Sequence, residues 1–266
     1  MRRGVHVPNF GPFGSAAAFA DLAAAAERSG WDGVFIWDHV VRREGDFDVV
    51  DPWVALAAAA ATTVRVLLGP LVTPLPRRRP WNVAKAVVSL DHLSGGRMVL
   101  GVGSGTPRGP EFPAFGEETD VRRRGDMLDE GLAIVRAAWT GEPVFFAGEH
   151  YRVDRIRFLP PPLRADGIPI WGATEVVRGR PVRRAAGLDG IFPTGVAPAE
   201  LPAVIDAVGR ERVEGGQFDV VTVSEEDDAP TWESAGATWW LRELSWEGEL
   251  DEAIALVTAG PGQPPR

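Results

Sequence analysis

The feature that most narrows the fold is a rhythm: a short apolar run, then a longer stretch with helical spacing, over and over. The apolar runs are Gly4–Val7, Gly33–Trp37, Val66–Val72, Met98–Val102, Ile168–Trp171, Gly190–Phe192, Phe218–Val223 and Ala237–Leu241. The helical stretches are Ala16–Arg28, Trp53–Thr62, Trp81–Leu93 and Val121–Trp139, with further ones starting near Pro181, Pro198, Thr231 and Glu247. The strands lack polar alternation, as strands do when a parallel sheet is covered on both faces. Eight such units at about 33 residues each fit a (β/α)8 TIM barrel. A doubly wound sheet would use fewer strands and need a second domain. No linker or composition break divides one off, so residues 1–259 read as one domain, followed by a Pro/Gly tail, Gly260–Arg266, expected to fray.

Local punctuation agrees with this register. Ser15 and Asp51 stand where helix N-caps belong, Pro52 suits a first turn, and Gly30 follows the first helix as a C′ glycine would. Val144–Phe146 and Tyr151–Val153, joined around Gly148, form a hairpin outside the repeat.

Composition removes several functions. A net charge of −9 argues against nucleic-acid and anionic-membrane partners. With no cysteine, disulfides and thiolate metal sites are excluded. No run nears the roughly 18 apolar residues of a membrane helix, and the N-terminus lacks a signal-peptide apolar region, so a cytoplasmic location is expected.

In a parallel barrel, chemistry collects where strands end. Those positions hold Pro8-Asn9-Phe10, Asp38-His39, Thr73-Pro74, Gly103-Ser104-Gly105-Thr106 and Gly172-Ala173-Thr174. His39, directly after Asp38 at a strand end, is the histidine best placed as a general acid or base. His6 is expected to be a hydrogen-bonded histidine inside the barrel, His92 a structural helix-end residue and His150 exposed. Gly101–Gly105 is not a dinucleotide fingerprint, because the third glycine is Thr106 and Pro107 blocks a helix. Its glycines do admit a flat ring close to the backbone. Arg77-Arg78-Arg79 either clamps an anion or forms a solvated face, and Arg122-Arg123-Arg124 reads the same way. Trp37, Trp171, Trp239 and Trp240 either wall an aromatic pocket or pack the core. No HExxH spacing occurs, and no metal is expected.

Several segments together resemble one family. They are Leu90-Asp91-His92-Leu93-Ser94-Gly95-Gly96-Arg97 with Gly101-Val102-Gly103, then Phe115-Gly116-Glu117-Glu118 with Arg124, and Leu128-Asp129-Glu130-Gly131-Leu132. Trp139-Thr140-Gly141-Glu142-Pro143, Gly148-Glu149-His150-Tyr151, Pro169-Ile170-Trp171-Gly172 and Asp189-Gly190-Ile191-Phe192-Pro193 follow in order. The chain thereby resembles the bacterial-luciferase-like flavin-dependent oxidoreductases. The resemblance implies a TIM barrel, a homodimer, and reduced FMN or the deazaflavin coenzyme F-420 at the mouth. It implies hydride transfer or oxygen activation on a small-molecule substrate, with a separate flavin reductase as a candidate partner. It places Asp38 and His39 at the reacting ring, Thr73, Gly103 and Ser104 against the ring face, and Trp171, Gly172, Ala173 and Thr174 toward the cofactor phosphate.

Three departures bear on activity. Thr106 stands where one deazaflavin dehydrogenase type has an acid, and the nearest carboxylate is Glu111. Ala173-Thr174 replaces a more usual glycine or serine. The stretch from Phe192 to Phe218 is short for an active-site cap. A non-catalytic flavin-binding barrel is therefore the competing reading. The long Ser104–Gly116 loop, with Phe112 and Phe115, is expected to be a jointed flap over the mouth, or else a wall packed under the next helix.

Overall fold

The computed structural model describes residues 1–42, 47–106, 109–213, 216–226 and 228–262. The tail expected to fray lies mostly in 263–266, outside the described residues. So do positions 107 and 108 of the expected flap.

The barrel is built from β1 (Arg2–Val7), β2 (Gly33–Ile36), β3 (Leu67–Pro70), β4 (Thr73–Pro74) and β5 (Leu100–Gly103). It continues through β8 (Ile170–Thr174), β9 (Gly190–Pro193), β10 (Asp219–Ser224) and β11 (Trp239–Glu243). All their pairings are parallel, and β11 returns to β1 with Arg2 opposite Trp239. The two short strands β3 and β4 are halves of one staggered strand. β3 pairs with β2, β4 pairs with β5, and a bridge from Leu68 to Met98 completes the ring. Eight staves result, as the repeat implies. β6 (Pro143–Ala147) and β7 (Arg152–Arg157) form the separate antiparallel hairpin.

Among the described residues, eight α-helices surround the staves: α1 (Ala16–Arg28), α2 (Pro52–Thr62), α3 (Pro80–Ser94), α4 (Val121–Trp139), α5 (Arg180–Ala186), α6 (Leu201–Glu211), α7 (Ala229–Ser234) and α8 (Leu250–Thr258). Their starts follow from side-chain caps. Ser15 accepts from the Ala18 amide, and Asp51 from those of Trp53 and Val54. Asp120 does the same for α4 through the amides of Arg122 and Arg123. Gly30 takes φ +89° after α1, a left-handed turn that suits glycine.

Two apolar layers hold the barrel. The outer one, between staves and helices, contains residues such as Phe19, Leu22, Leu56, Val87 and Trp240. The inner one is a plug of Phe35, Trp171 and Trp239, with ring centroids 5.2, 5.8 and 5.5 Å apart. All three rings are fully buried. Gly190 makes room for them, since a Cβ there would sit 2.6 Å from the Trp171 ring. No helix among the described residues is long and apolar enough to cross a membrane.

Candidate active site

A cavity of about 620 Å³ opens at the C-terminal ends of the staves. Its wall is more apolar than polar. It draws His6 from β1, Trp37 to His39 from beyond β2, Gly103 to Thr106 from beyond β5, Ala173 and Thr174 from β8, and Glu243 from the end of β11.

His39 is held from three sides. Asn9, fully buried, donates from Nδ2 to the His39 carbonyl at 2.8 Å and accepts the His39 amide on Oδ1 at 3.1 Å. Phe10 and Trp37 pack against the imidazole, with centroids at 5.9 and 5.7 Å. Glu111 Oε2 lies 3.0 Å from Nδ1. An ionised carboxylate only accepts, so Nδ1 carries a proton, and in the neutral ring Nε2 keeps its lone pair. Among the described residues nothing binds Nε2. That nitrogen is the one left for a ligand.

Glu111 reaches this position from the loop after β5. Its other oxygen accepts the Val40 amide at 2.5 Å, and Arg77 Nη1 lies 2.9 Å away, off the hydrogen-bond line. Burial pushes the Glu111 carboxyl up. The His39 hydrogen bond and charge, the Val40 amide and Arg77 outweigh it and hold the group below its ordinary range. The loop itself is pinned by Arg124 of α4, whose guanidinium lies 4.2 Å from the centre of the Phe112 ring and donates to the Thr106 carbonyl at 3.1 Å. Phe112 is buried and Phe115 is exposed. Of the two phenylalanines expected on a flap, one is therefore part of a packed wall and the other faces solvent.

Asp38 plays a different part from its neighbour. Its carboxylate has no exposed surface. It accepts the Thr73 hydroxyl, Arg77 Nη2 at 2.6 Å, and Arg78 through Nε at 2.8 Å and Nη2 at 2.7 Å. Arg77 and Arg78 do clamp an anion, and it is the protein's own. Every acceptor position of Asp38 is taken, so it anchors the strand end that carries His39.

The other expected site residues divide. Gly103, Ser104, Ala173 and Thr174 border the cavity. Thr73 is buried behind it on Asp38. Trp171 sits in the plug below, and Gly172 faces outward, where a Cβ would meet Leu188 and Ala185 of the helix layer. Thr73 and Gly172 lie outside the cavity wall because strand periodicity turns alternate side chains away from the mouth, and Trp171 lies outside it because it points inward one layer deeper. Of the four tryptophans, Trp37 alone borders the cavity; Trp239 joins the plug, and Trp240 stacks on Trp31 in the outer layer. His92 binds the Pro161 carbonyl at 2.8 Å, a structural role. His150 is half-buried rather than exposed, because Glu130 gathers its backbone amide and that of Tyr151. No cluster of three metal-ligating side chains occurs among the described residues.

Asn9, Glu111, Arg77, Arg78 and Glu243 are the site residues that sequence reasoning missed or left without a role. The signal available for Glu111 was the absence of an acid at position 106 with one five residues later.

The chain can now be set beside known proteins. Residues 1–255 match the family described as luciferase-like monooxygenase. An F420-dependent glucose-6-phosphate dehydrogenase of Nakamurella multipartita is 39% identical over 217 residues, covering 76% of this chain and 59% of that one. The chain thus spans about three fifths of that relative's length. An F420-dependent hydroxymycolic acid dehydrogenase of Mycobacterium tuberculosis is 34% identical over 53% of this chain and 41% of its own. Among solved structures, monooxygenase RslO1 from Streptomyces bottropensis superposes with a TM-score of 0.71 at 25% identity, covering 97% of this chain and 80% of that one. An F420-dependent secondary alcohol dehydrogenase superposes at 0.79 with 17% identity over 97% and 98%, a likeness of fold. The eight-stave barrel, the sequence match over nearly the whole chain and these relatives agree: the protein belongs to the luciferase-like monooxygenase family.

Proposed function

We propose that this chain is an oxidoreductase that binds a deazaflavin at the barrel mouth and moves a hydride between it and a small organic substrate. One observation carries the reading: His39, oriented by Glu111 with Nε2 unbonded, opens on a mostly apolar cavity at the C-terminal ends of the staves. The wall suits a flat heterocycle. Gly103 keeps the backbone bare between the cavity residues Val72 and Ala173, while Gly105 makes room for Phe112, since a Cβ there would overlap that ring at 2.6 Å. The cofactor, when bound, supplies the hydride chemistry. The protein supplies the rest. His39 Nε2 takes or returns the proton at the substrate oxygen, and Glu111 stabilises the imidazolium while that proton is held. Trp37 and Phe192 help to keep water from the reacting centre.

The cofactor phosphate is assigned to the Ala173–Thr174 end of β8. The Thr174 hydroxyl is spent on its own turn there, donating to the Val176 carbonyl at 2.8 Å and accepting its amide at 3.1 Å, so a phosphate at this end depends on other donors. F420-dependent relatives favour deazaflavin over FMN. A monooxygenase reading with FMN keeps the support of the RslO1 likeness, and would add a separate flavin reductase. A homodimer and a cytoplasmic setting belong to the same reading. The test is a pair of titrations of the pure protein, one with deazaflavin and one with FMN, read by absorbance and fluorescence. Micromolar binding of deazaflavin supports the proposal. Binding of neither overturns it.

A further inference from the structure

Among the carboxylates of the cavity wall, Glu243 has surroundings unlike those of Glu111. Glu243 ends β11 opposite His6 on β1, and its side chain keeps 24% of its surface exposed in the cavity wall. Among the described residues its near polar partner is His6 Nδ1, at 3.5 Å from Oε1. That partner is already occupied. His6 Nε2 lies 2.6 Å from the Leu71 carbonyl, and Trp37 Nε1 lies 3.2 Å from His6 Nδ1. A carbonyl only accepts and an indole N–H only donates. The neutral ring that satisfies both carries its proton on Nε2 and offers Glu243 a lone pair. Glu243 therefore accepts no hydrogen bond from any described residue. Nor does a cation answer it. Arg184, the arginine in the cavity wall, is bound to Asp129 and the Gly125 carbonyl. Glu111, by contrast, is covered by His39, Val40 and Arg77.

With no protein donor and 24% of its side chain open to the cavity, the Glu243 carboxylate is left to water or to a ligand that brings a donor of its own. We infer that Glu243 is the substrate-recognition group of this cavity, binding a hydroxyl donor of an uncharged alcohol and turning away substrates with an anionic group at that end. The inference rests on the reading of the cavity as a substrate chamber. It sets this chain apart from enzymes that must hold a phosphorylated substrate, for which a carboxylate at this position is the wrong sign. His6 braces the arrangement by holding Trp37 and the Leu71 carbonyl, and it is a positioning residue.

The test compares two ligands of matched shape, cyclohexanol and cyclohexanecarboxylate, by saturation-transfer NMR on the whole protein with and without deazaflavin. The alcohol should bind at least about tenfold more tightly in the wild type. Glu243→Gln should bring the two within about threefold, and Glu243→Asp should keep the preference. Glu175→Gln, which removes a carboxylate elsewhere in the wall, should leave the ratio unchanged. Equal binding of both ligands by the wild type, an unaltered ratio in Glu243→Gln, or no binding of either ligand overturns the inference. A separate deazaflavin titration reports on the cofactor reading, so its failure is told apart from failure of the Glu243 arms on the cofactor-free protein.

Discussion

His39 Nδ1 and Glu111 Oε2 meet at 3.0 Å although 72 residues separate them in the chain. The contact joins the end of β2 to the loop after β5, across the intervening staggered strand. It turns a lone histidine into an oriented one, because the acceptor-only carboxylate fixes which nitrogen carries the proton.

Replacing His39 with alanine should lower turnover of an alcohol substrate by roughly 10²–10⁴, the usual share of general acid–base catalysis, with cofactor affinity little changed. Pre-steady-state rates beside a fluorescence titration separate the two effects. An unaltered rate would remove His39 from the chemistry.

Glu111 carries a pH dependence of known sign. Its carboxyl is held below its unfolded value, so the stability it adds is complete above about pH 4.3 and is lost as pH falls through the depressed folded value. Urea unfolding of the wild type and Glu111→Gln should differ most near neutrality and converge in acid. A gap that stays constant down to pH 3 would contradict this.

Asp38→Ala should cost about 3–5 kcal/mol, because it strands the Arg77 and Arg78 guanidinium groups, of which Arg77 is almost wholly buried. Equilibrium denaturation reads the loss directly. A cost under about 1 kcal/mol would place the pair among ordinary surface ion pairs.

Arg124→Met keeps the long stem and removes the cation from Phe112 and the donor from the Thr106 carbonyl. Amide exchange across residues 109–116 should quicken in the empty protein. If exchange there matches the wild type, the wall is held by something other than Arg124.

Much of the barrel could be read from the chain. The bounds of α1 and α4 coincide with the apolar periodicity, and Ser15 and Asp51 cap as their positions imply. The inward and outward faces of the staves were not legible. When both faces are buried, alternation disappears, and nothing in Ala237–Leu241 tells that Trp239 fills the plug while Trp240 faces the helices. The site was half legible for a related reason. Asp38 and His39 lie at a strand end, where topology alone puts chemistry. Their partners come from loops of Gly, Pro and Arg, whose three-dimensional course has no period. Thus Glu111 had no role in the sequence reading and Arg77-Arg78 stayed open between an anion clamp and a solvated face, while the resemblance that put Trp171 toward the cofactor carries no information on how deep a strand residue lies.

The Phe35–Trp171–Trp239 plug has a kinetic meaning. With the axis sealed from below by these rings, the chamber opens at the mouth among the described residues. A molecule seated deepest, beside His6 and Glu243, must enter before and depart after anything lying over it. Traffic through this protein is therefore a stack, last in and first out, and the sequence of arrivals is set by the depth at which each guest rests.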